Sequence, residues 1–201
     1  MTRRIVVFNR VTADGYFAAA DGNLNWAVPD PEVDRAGASG IPSTDAIMFG
    51  RKTYEMFAKF WPHVGKGSSP PSDPHAPGRE SPEMLDFAKV LNESPKIVFS
   101  RTLKSADWEN STLLREIEPA TIDAMKHEPG KNIIIFGSGE VVSTLTRHAL
   151  IDEYHFIVCP VLLGGGKTLL NDVGKAAGVR LVESKTFPSG NVLLRYERSA
   201  Q

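Results

Sequence analysis

Thiols are nearly absent from this chain: Cys159 is the single cysteine among 201 residues. No intrachain disulfide can form, and a reducing, cytoplasmic setting is the expectation. Net charge is lacking as well, because 23 Lys+Arg stand against 24 Asp+Glu for a formal −1 at pH 7. That balance offers no basic excess to a nucleic acid or an anionic membrane, so neither is expected as a partner. No apolar run approaches the roughly 20 residues of a membrane helix. The start, MTRRIVVFNRVTADG, enters a strand-like pattern at once and carries no small-residue cleavage site. Histidines 63, 75, 127, 148 and 155 are scattered with no H-x-x-x-H or C-x-x-C spacing, so no metal is expected. The G-x-S-x-G elbow of serine hydrolases is missing too. Cys159 itself lies in an apolar run and reads as an inert core thiol.

What the chain does have is a repeated alternation of apolar runs and helical patterns. Ile5 to Phe8, Ala46 to Phe49, Ile97 to Phe99, Ile133 to Phe136 and Phe156 to Val161 are short and nearly continuous, as suits strands buried on both faces of a parallel sheet. Between them, Glu140 to Leu150 places Val141, Val142, Leu145 and Ala149 on one helical face. Ser81-Pro82-Glu83 supplies a cap, a first-position proline and a first-turn acid for a helix to about Leu91. Near the end, Val179 to Phe187 and Val192 to Tyr196 flank the turn residues PSGN and predict an antiparallel hairpin. The expected fold is a single α/β domain over residues 1–201, a mostly parallel sheet with helices on both faces. Residues 61–82 hold six of the 14 prolines and are expected to form a long surface loop.

One stretch, PVLLGGGKTLL (160–170), imitates a phosphate loop. G-x-x-x-x-G-K-[ST] requires glycine at position 161, and Val161 stands there, so no ATP site is expected. Better anion sites occur where buried strands run into helices. Gly137-Ser138-Gly139-Glu140 follows such a strand, and a helix start offers unpaired N–H groups and a positive dipole end. Val142 breaks the full G-x-G-x-x-G, and a plain tight turn is an equal alternative there. Gly50-Arg51-Lys52-Thr53 begins another helix with cations where acids are usual, which favours an anionic ligand. Ser100-Arg101-Thr102 repeats an arginine beside hydroxyls at a strand end. Together these three groups suit a ligand with several phosphates. Asn9 to Trp26 carries two Asp-Gly turns and forms a loop beside the expected cleft, with Trp26 as core, lid or substrate platform.

In chain order, TADGYFA, MFGRKTYE, IVFSRTL, IIIFGSGEVVSTL and LIDEYHFIVCPVLLGGGKTLL make the chain resemble the dihydrofolate reductase-like superfamily. The similarity is closest to the C-terminal reductase domain of the bifunctional riboflavin-biosynthesis deaminase-reductase. The resemblance implies a three-layer sandwich and an NADPH-dependent reductase of a small pyrimidine- or pterin-type heterocycle. It implies cofactor phosphates along Gly50, Arg51, Lys52 and Thr53, the 2′-phosphate near Ser100 and Arg101, and the pyrophosphate at Gly137, Ser138, Gly139 and Glu140. Ala13, with Asp14 and Gly15, matches the loop beside the nicotinamide. Gly164, Gly165 and Gly166 match a substrate-side loop, which puts Lys167 outside the cofactor site. A homodimer is expected from the same resemblance and from the apolar stretch Phe156 to Leu163. Strict dihydrofolate reductases add a carboxylate on the helix after the first loop. Asp30, Glu32 and Asp34 are candidates here, but no motif anchors any of them and helix-start acids are the preferred reading. No catalytic residue is assigned; Asp14, Trp26, Asp30 and Asp34 are the candidates. A dihydrofolate reductase proper and a non-catalytic nucleotide-binding protein of the same fold are the alternatives.

Overall fold

The computed structural model describes residues 2–28, 30–38, 43–66 and 82–199. Its elements run β1 (Ile5–Thr12), β2 (Tyr16–Ala18), α1 (Pro31–Ala38), β3 (Thr44–Gly50), α2 (Arg51–Phe60), α3 (Pro82–Glu93), β4 (Lys96–Phe99) and β5 (Ser111–Leu114). Then come α4 (Pro119–His127), β6 (Asn132–Phe136), α5 (Gly139–Arg147), β7 (Glu153–Cys159), β8 (Lys167–Thr168), β9 (Val179–Thr186) and β10 (Val192–Arg198). Eight strands form one sheet in the order β5-β4-β3-β6-β1-β7-β10-β9, parallel through β7 and antiparallel at β10 and β9. β2 and β8 make a separate two-stranded sheet.

The continuous apolar runs are explained by burial on both sides. Ile133 and Ile135 of β6 join Ile5, Val7 and Met48 beneath Val141, Val142 and Leu145 of α5 and Ile122 of α4. Ile134 and Phe136 point to the other face, with Ile47 and Phe49 against α2 and α3. Val33 of α1 packs with Ile157, Cys159, Phe187 and Leu193, and Phe8 touches both of these latter clusters. The layers are therefore α1, α2 and α3, the sheet, and α4 with α5. Cys159 is fully buried, as its apolar surroundings suggested.

Several boundaries moved for physical reasons. α5 stops at Arg147, and Ala149 leaves the helical face at φ 54°. Its N–H reaches Thr146 O at 3.0 Å and Leu150 N–H reaches Leu145 O at 3.0 Å, a Schellman ending with alanine in glycine's usual place. β7 begins at Glu153 and ends at Cys159, not Val161, because Pro160 brings no N–H to the ladder. Trp61, at the head of the proline-rich stretch, is core: it packs edge-on against Phe60 and Phe87 in a short 3-10 turn. The rest of the expected loop, 67–81, and the Ser81 cap lie outside the described residues. β2, β5, β8 and α4 had no counterpart in the sequence pattern.

Candidate functional site

β3 and β6 are parallel neighbours, yet the helices that follow them leave on opposite faces of the sheet. Such a divergence opens a crevice beyond the carboxyl ends of the two strands. Gly50 and Gly137 sit at those ends. Ser138 joins them: its Oγ accepts the Gly50 N–H at 2.5 Å and donates to Thr53 Oγ1 at 3.2 Å. A Cβ on Gly137, whose φ is +59°, would fall 2.5 Å from Thr53 Oγ1. The glycine is thus required by the protein's own packing as well as by its backbone angle.

Neither α2 nor α5 has a side-chain cap at its N-terminus. Their first-turn N–H groups are left for another partner, and both dipole ends are positive there. Arg51, Lys52 and Thr53 from α2, Gly137 and Ser138 from the turn before α5, and Gly139 and Glu140 from α5 line one cleft of about 930 Å³. Among the described residues, Arg51 has one ion pair, a long 3.9 Å contact with Glu55 on its own helix.

The end of β4 contributes Ser100, Arg101 and Thr102 to the same cleft. Here the roles separate. Ser100 is buried, and its Oγ accepts the Thr102 and Leu103 N–H groups at 3.2 and 2.9 Å, so it shapes the turn. Arg101 is exposed. Arg115, which the sequence reasoning missed, lines the cleft beside them and donates through Nη1 to Leu103 O (2.6 Å) and Ser100 O (3.2 Å). Its signal was the same as for Arg101, an arginine just past a short strand, but β5 itself had gone unnoticed.

The other half of the cleft lies among α1, α2, α3 and the loop after β2. β1 runs on to Thr12 beside β7, while its pairing with β6 ends at Phe8, so Asn9 to Thr12 flank the opening. Trp26 and Asp34 line this half, with Phe57, Trp61 and Phe87 opposite. Arg10, also missed, holds Asp34 Oδ1 at 2.7 Å and reaches Val28 O at 3.3 Å.

The remaining candidates are placed elsewhere. Asp30 is buried and caps α1, accepting the Glu32 N–H at 2.8 Å and bonding Ser189. Burial pushes its carboxyl up, but the Ser189 hydroxyl and the Glu32 and Val33 N–H groups prevail and hold it below the usual range. Asp14 is exposed and binds the glycine loop, accepting from Leu163 N (3.0 Å), Gly164 N (2.7 Å) and Thr12 Oγ1 (2.5 Å). The Thr12 hydroxyl above all, against some desolvation, lowers its pKa. Ala13 gives its N–H to Val161 O at 2.9 Å. None of Ala13, Asp14, Asp30, Gly164, Gly165 and Gly166 is among the residues lining the cleft.

Lys167 lines the cleft away from the helix starts, next to Gly22, because β8 pairs with β2 and turns its side chain toward that loop. Gly139 is subtler than expected. A Cβ there would lie 3.2 and 3.3 Å from the carbonyl oxygens of Leu169 and Thr168, so its close neighbour is this same segment. Ser143 of α5 strengthens the link, donating to Leu169 O at 3.2 Å and accepting Asn171 N–H at 2.9 Å.

Among the described residues, no group of His, Cys, Asp and Glu could hold a metal, and no helix is long and apolar enough to cross a membrane. Comparison with known proteins accords with the fold. Two uncharacterised Bacillus subtilis (strain 168) proteins are similar along nearly their whole lengths: YyaP, 29% identical over 96% of this chain and 94% of its own, and YwjB, 28% identical over 99% and 100%. A riboflavin-biosynthesis candidate from Shewanella sp. PV-4 superposes with a TM-score of 0.72 at 21% identity, over 100% of both chains. The Thermotoga maritima diaminohydroxyphosphoribosylaminopyrimidine deaminase/5-amino-6-(5-phosphoribosylamino)uracil reductase does so at 0.64 and 14%, over 98% of this chain and 57% of that one. The two structural likenesses show a common fold. The model of the RibD C-terminal domain matches residues 3–193, and the chain belongs to that family.

Proposed function

We propose that this protein is an NADPH-dependent reductase of a small heterocycle. One observation carries the proposal: three separate strand ends deliver Arg51, Lys52, Arg101 and Gly137 to Glu140 into one cleft at the sheet's switch point. Two uncapped helix starts and these cations fit the pyrophosphate and 2′-phosphate of the cofactor. When bound, NADPH would supply a hydride to an electrophilic carbon of the substrate ring. The chain's own work is positional. α2 and α5 hold the phosphates by backbone N–H groups, and Ser138 keeps the two helix starts in register. Arg101 pairs with the 2′-phosphate, with Arg115 stiffening the turn that presents it. The aromatic side chains of the other half exclude water from the reacting face.

Asp34 favours a second reading, dihydrofolate reductase in the strict sense. It is a carboxylate on the first helix, in the cleft, held by Arg10 and able to accept an N–H of a pterin. Loss of dihydrofolate turnover in Asp34→Asn, with NADPH affinity retained, would support it.

The primary test is separate calorimetric titration with NADPH and NADH. The parent should prefer NADPH, and Arg101→Ala should lose about 1.5–3 kcal/mol of that preference, the worth of one charged hydrogen bond. An unchanged NADPH-to-NADH ratio in the variant overturns the assignment.

A further inference from the structure

The two halves of the cleft differ in charge and in polarity. On the phosphate side, Arg51, Lys52, Arg101 and Arg115 outnumber Glu116 and Glu140. On the other side each cation faces an acid: Arg10 meets Asp34 at 2.7 Å, Arg35 meets Glu83 at 4.0 Å, and Lys167, beside Gly22, lies near the Asp21 carboxylate, whose pKa it helps to lower. The walls there are Trp26, Met56, Phe57, Trp61, Met84 and Phe87, drawn from the loop after β2, from α2 and its following turn, and from α3. A phosphate placed among these side chains would lose water and find the cations there already matched by carboxylates. An apolar group would gain from the same surroundings.

Two polar groups add detail. Trp26 Nε1 and Asn9 Nδ2 are buried without a hydrogen-bond partner among the described residues, and both residues line the cleft. Buried donors are ordinarily satisfied, so unpartnered ones beside an open site call for acceptors on a ligand.

Building on the proposed reductase function, we infer that the substrate is a flat heterocycle with ring carbonyls and an uncharged, apolar substituent, and not a phosphoribosyl compound. The ring carbonyls meet Trp26 and Asn9, and the substituent lies along Met56, Phe57 and Phe87. This separates the chain from the phosphoribosylaminouracil activity named for the Thermotoga maritima relative, despite the common fold.

The test uses two probes on the intact, NADPH-saturated protein: 6-benzyluracil, a dioxo ring with an apolar arm, and uridine 5′-monophosphate, a similar ring with a phosphoribosyl arm. Calorimetry should find the benzyl compound bound at least tenfold more tightly. Trp26→Phe, which keeps the ring and deletes the N–H, should weaken it severalfold and leave NADPH binding alone. Met56→Lys, at a position 38% exposed on α2, should weaken the benzyl compound and improve the nucleotide. Equal or tighter binding of the nucleotide by the parent overturns the inference, as does no binding of 6-benzyluracil up to its solubility limit. Failure of NADPH to bind would instead sink the reductase proposal, and the probe ranking without cofactor would still decide the substrate class.

Discussion

Ser138 Oγ accepts the backbone N–H of Gly50 across 88 residues of sequence, so the hydroxyl at the start of α5 completes the start of α2. Ser138 holds this position with φ at 65°, a left-handed conformation that a serine adopts at some cost. Ser138→Gly should relieve the backbone and still impair the site, because the Gly50 N–H loses its partner. A net loss of about 1–3 kcal/mol in NADPH affinity or stability is expected for Ser138→Ala. Calorimetry and thermal unfolding of both variants decide it. A glycine variant that binds NADPH as well as the parent would show that the hydroxyl contributes nothing.

Gly139 and Lys167 are joined through one segment, 167–169. Gly139→Val would push into the carbonyls of Thr168 and Leu169, displacing β8 together with the helix start. NADPH affinity should fall at least tenfold. Lys167 lines the cleft, so Lys167→Ala should alter ligand binding there, and ATP should bind neither protein. ATP binding that depends on Lys167 would restore the phosphate-loop interpretation of 160–170.

Glu153 supplies a pH dependence. It is buried at the start of β7, and the hydrogen bond from His155, helped by Arg4 and Arg195 against desolvation, lowers its pKa to about 2. The folded value lies below the unfolded one, so the stabilisation is complete above the ordinary pKa of 4.5 and is lost as pH falls from there to about 2. The shift corresponds to roughly 3 kcal/mol. Thermal melts of Glu153→Gln should show a flatter acid limb than the parent; parallel limbs would refute the linkage.

Ala149 ends α5 in the conformation that glycine prefers. Ala149→Gly removes the Cβ clash and should stabilise the protein by up to about 1 kcal/mol, offset in part by the greater freedom of the unfolded chain. A lower unfolding midpoint in the variant would contradict the assignment of this residue as the helix stop.

The homodimer is proposed on a surface other than the one the sequence suggested. β7 is internal, paired on both edges by β1 and β10. β9 instead lies at the sheet edge with every residue exposed, Val179, Leu181 and Val182 included. An exposed edge strand carrying apolar side chains invites pairing with a second copy. Sedimentation velocity should find a dimer that Leu181→Lys weakens, and a concentration-independent monomer removes the proposal.

What the sequence by itself determined is local. A buried strand followed by glycine and a helix start is legible at Gly50 and Gly137, because strand burial, turn and dipole all come from adjacent residues. The hairpin of β9 and β10 was legible for the same reason. The tertiary structure decided what lies far apart in the chain. Only the strand order β3-β6-β1 sets Gly50 against Ser138 and turns the two helices to opposite faces. The same holds for Lys96, which stands just before the apolar run Ile97 to Phe99. It is fully buried, and its ammonium donates to the carbonyls of Leu91, Asn92 and Ser94. Arg10 and Arg115 entered the site, and Asp14 left it, through partners 12 to 150 residues away. Short-range patterns record which backbone a segment prefers, whereas a side chain's role depends on the neighbours that folding brings to it.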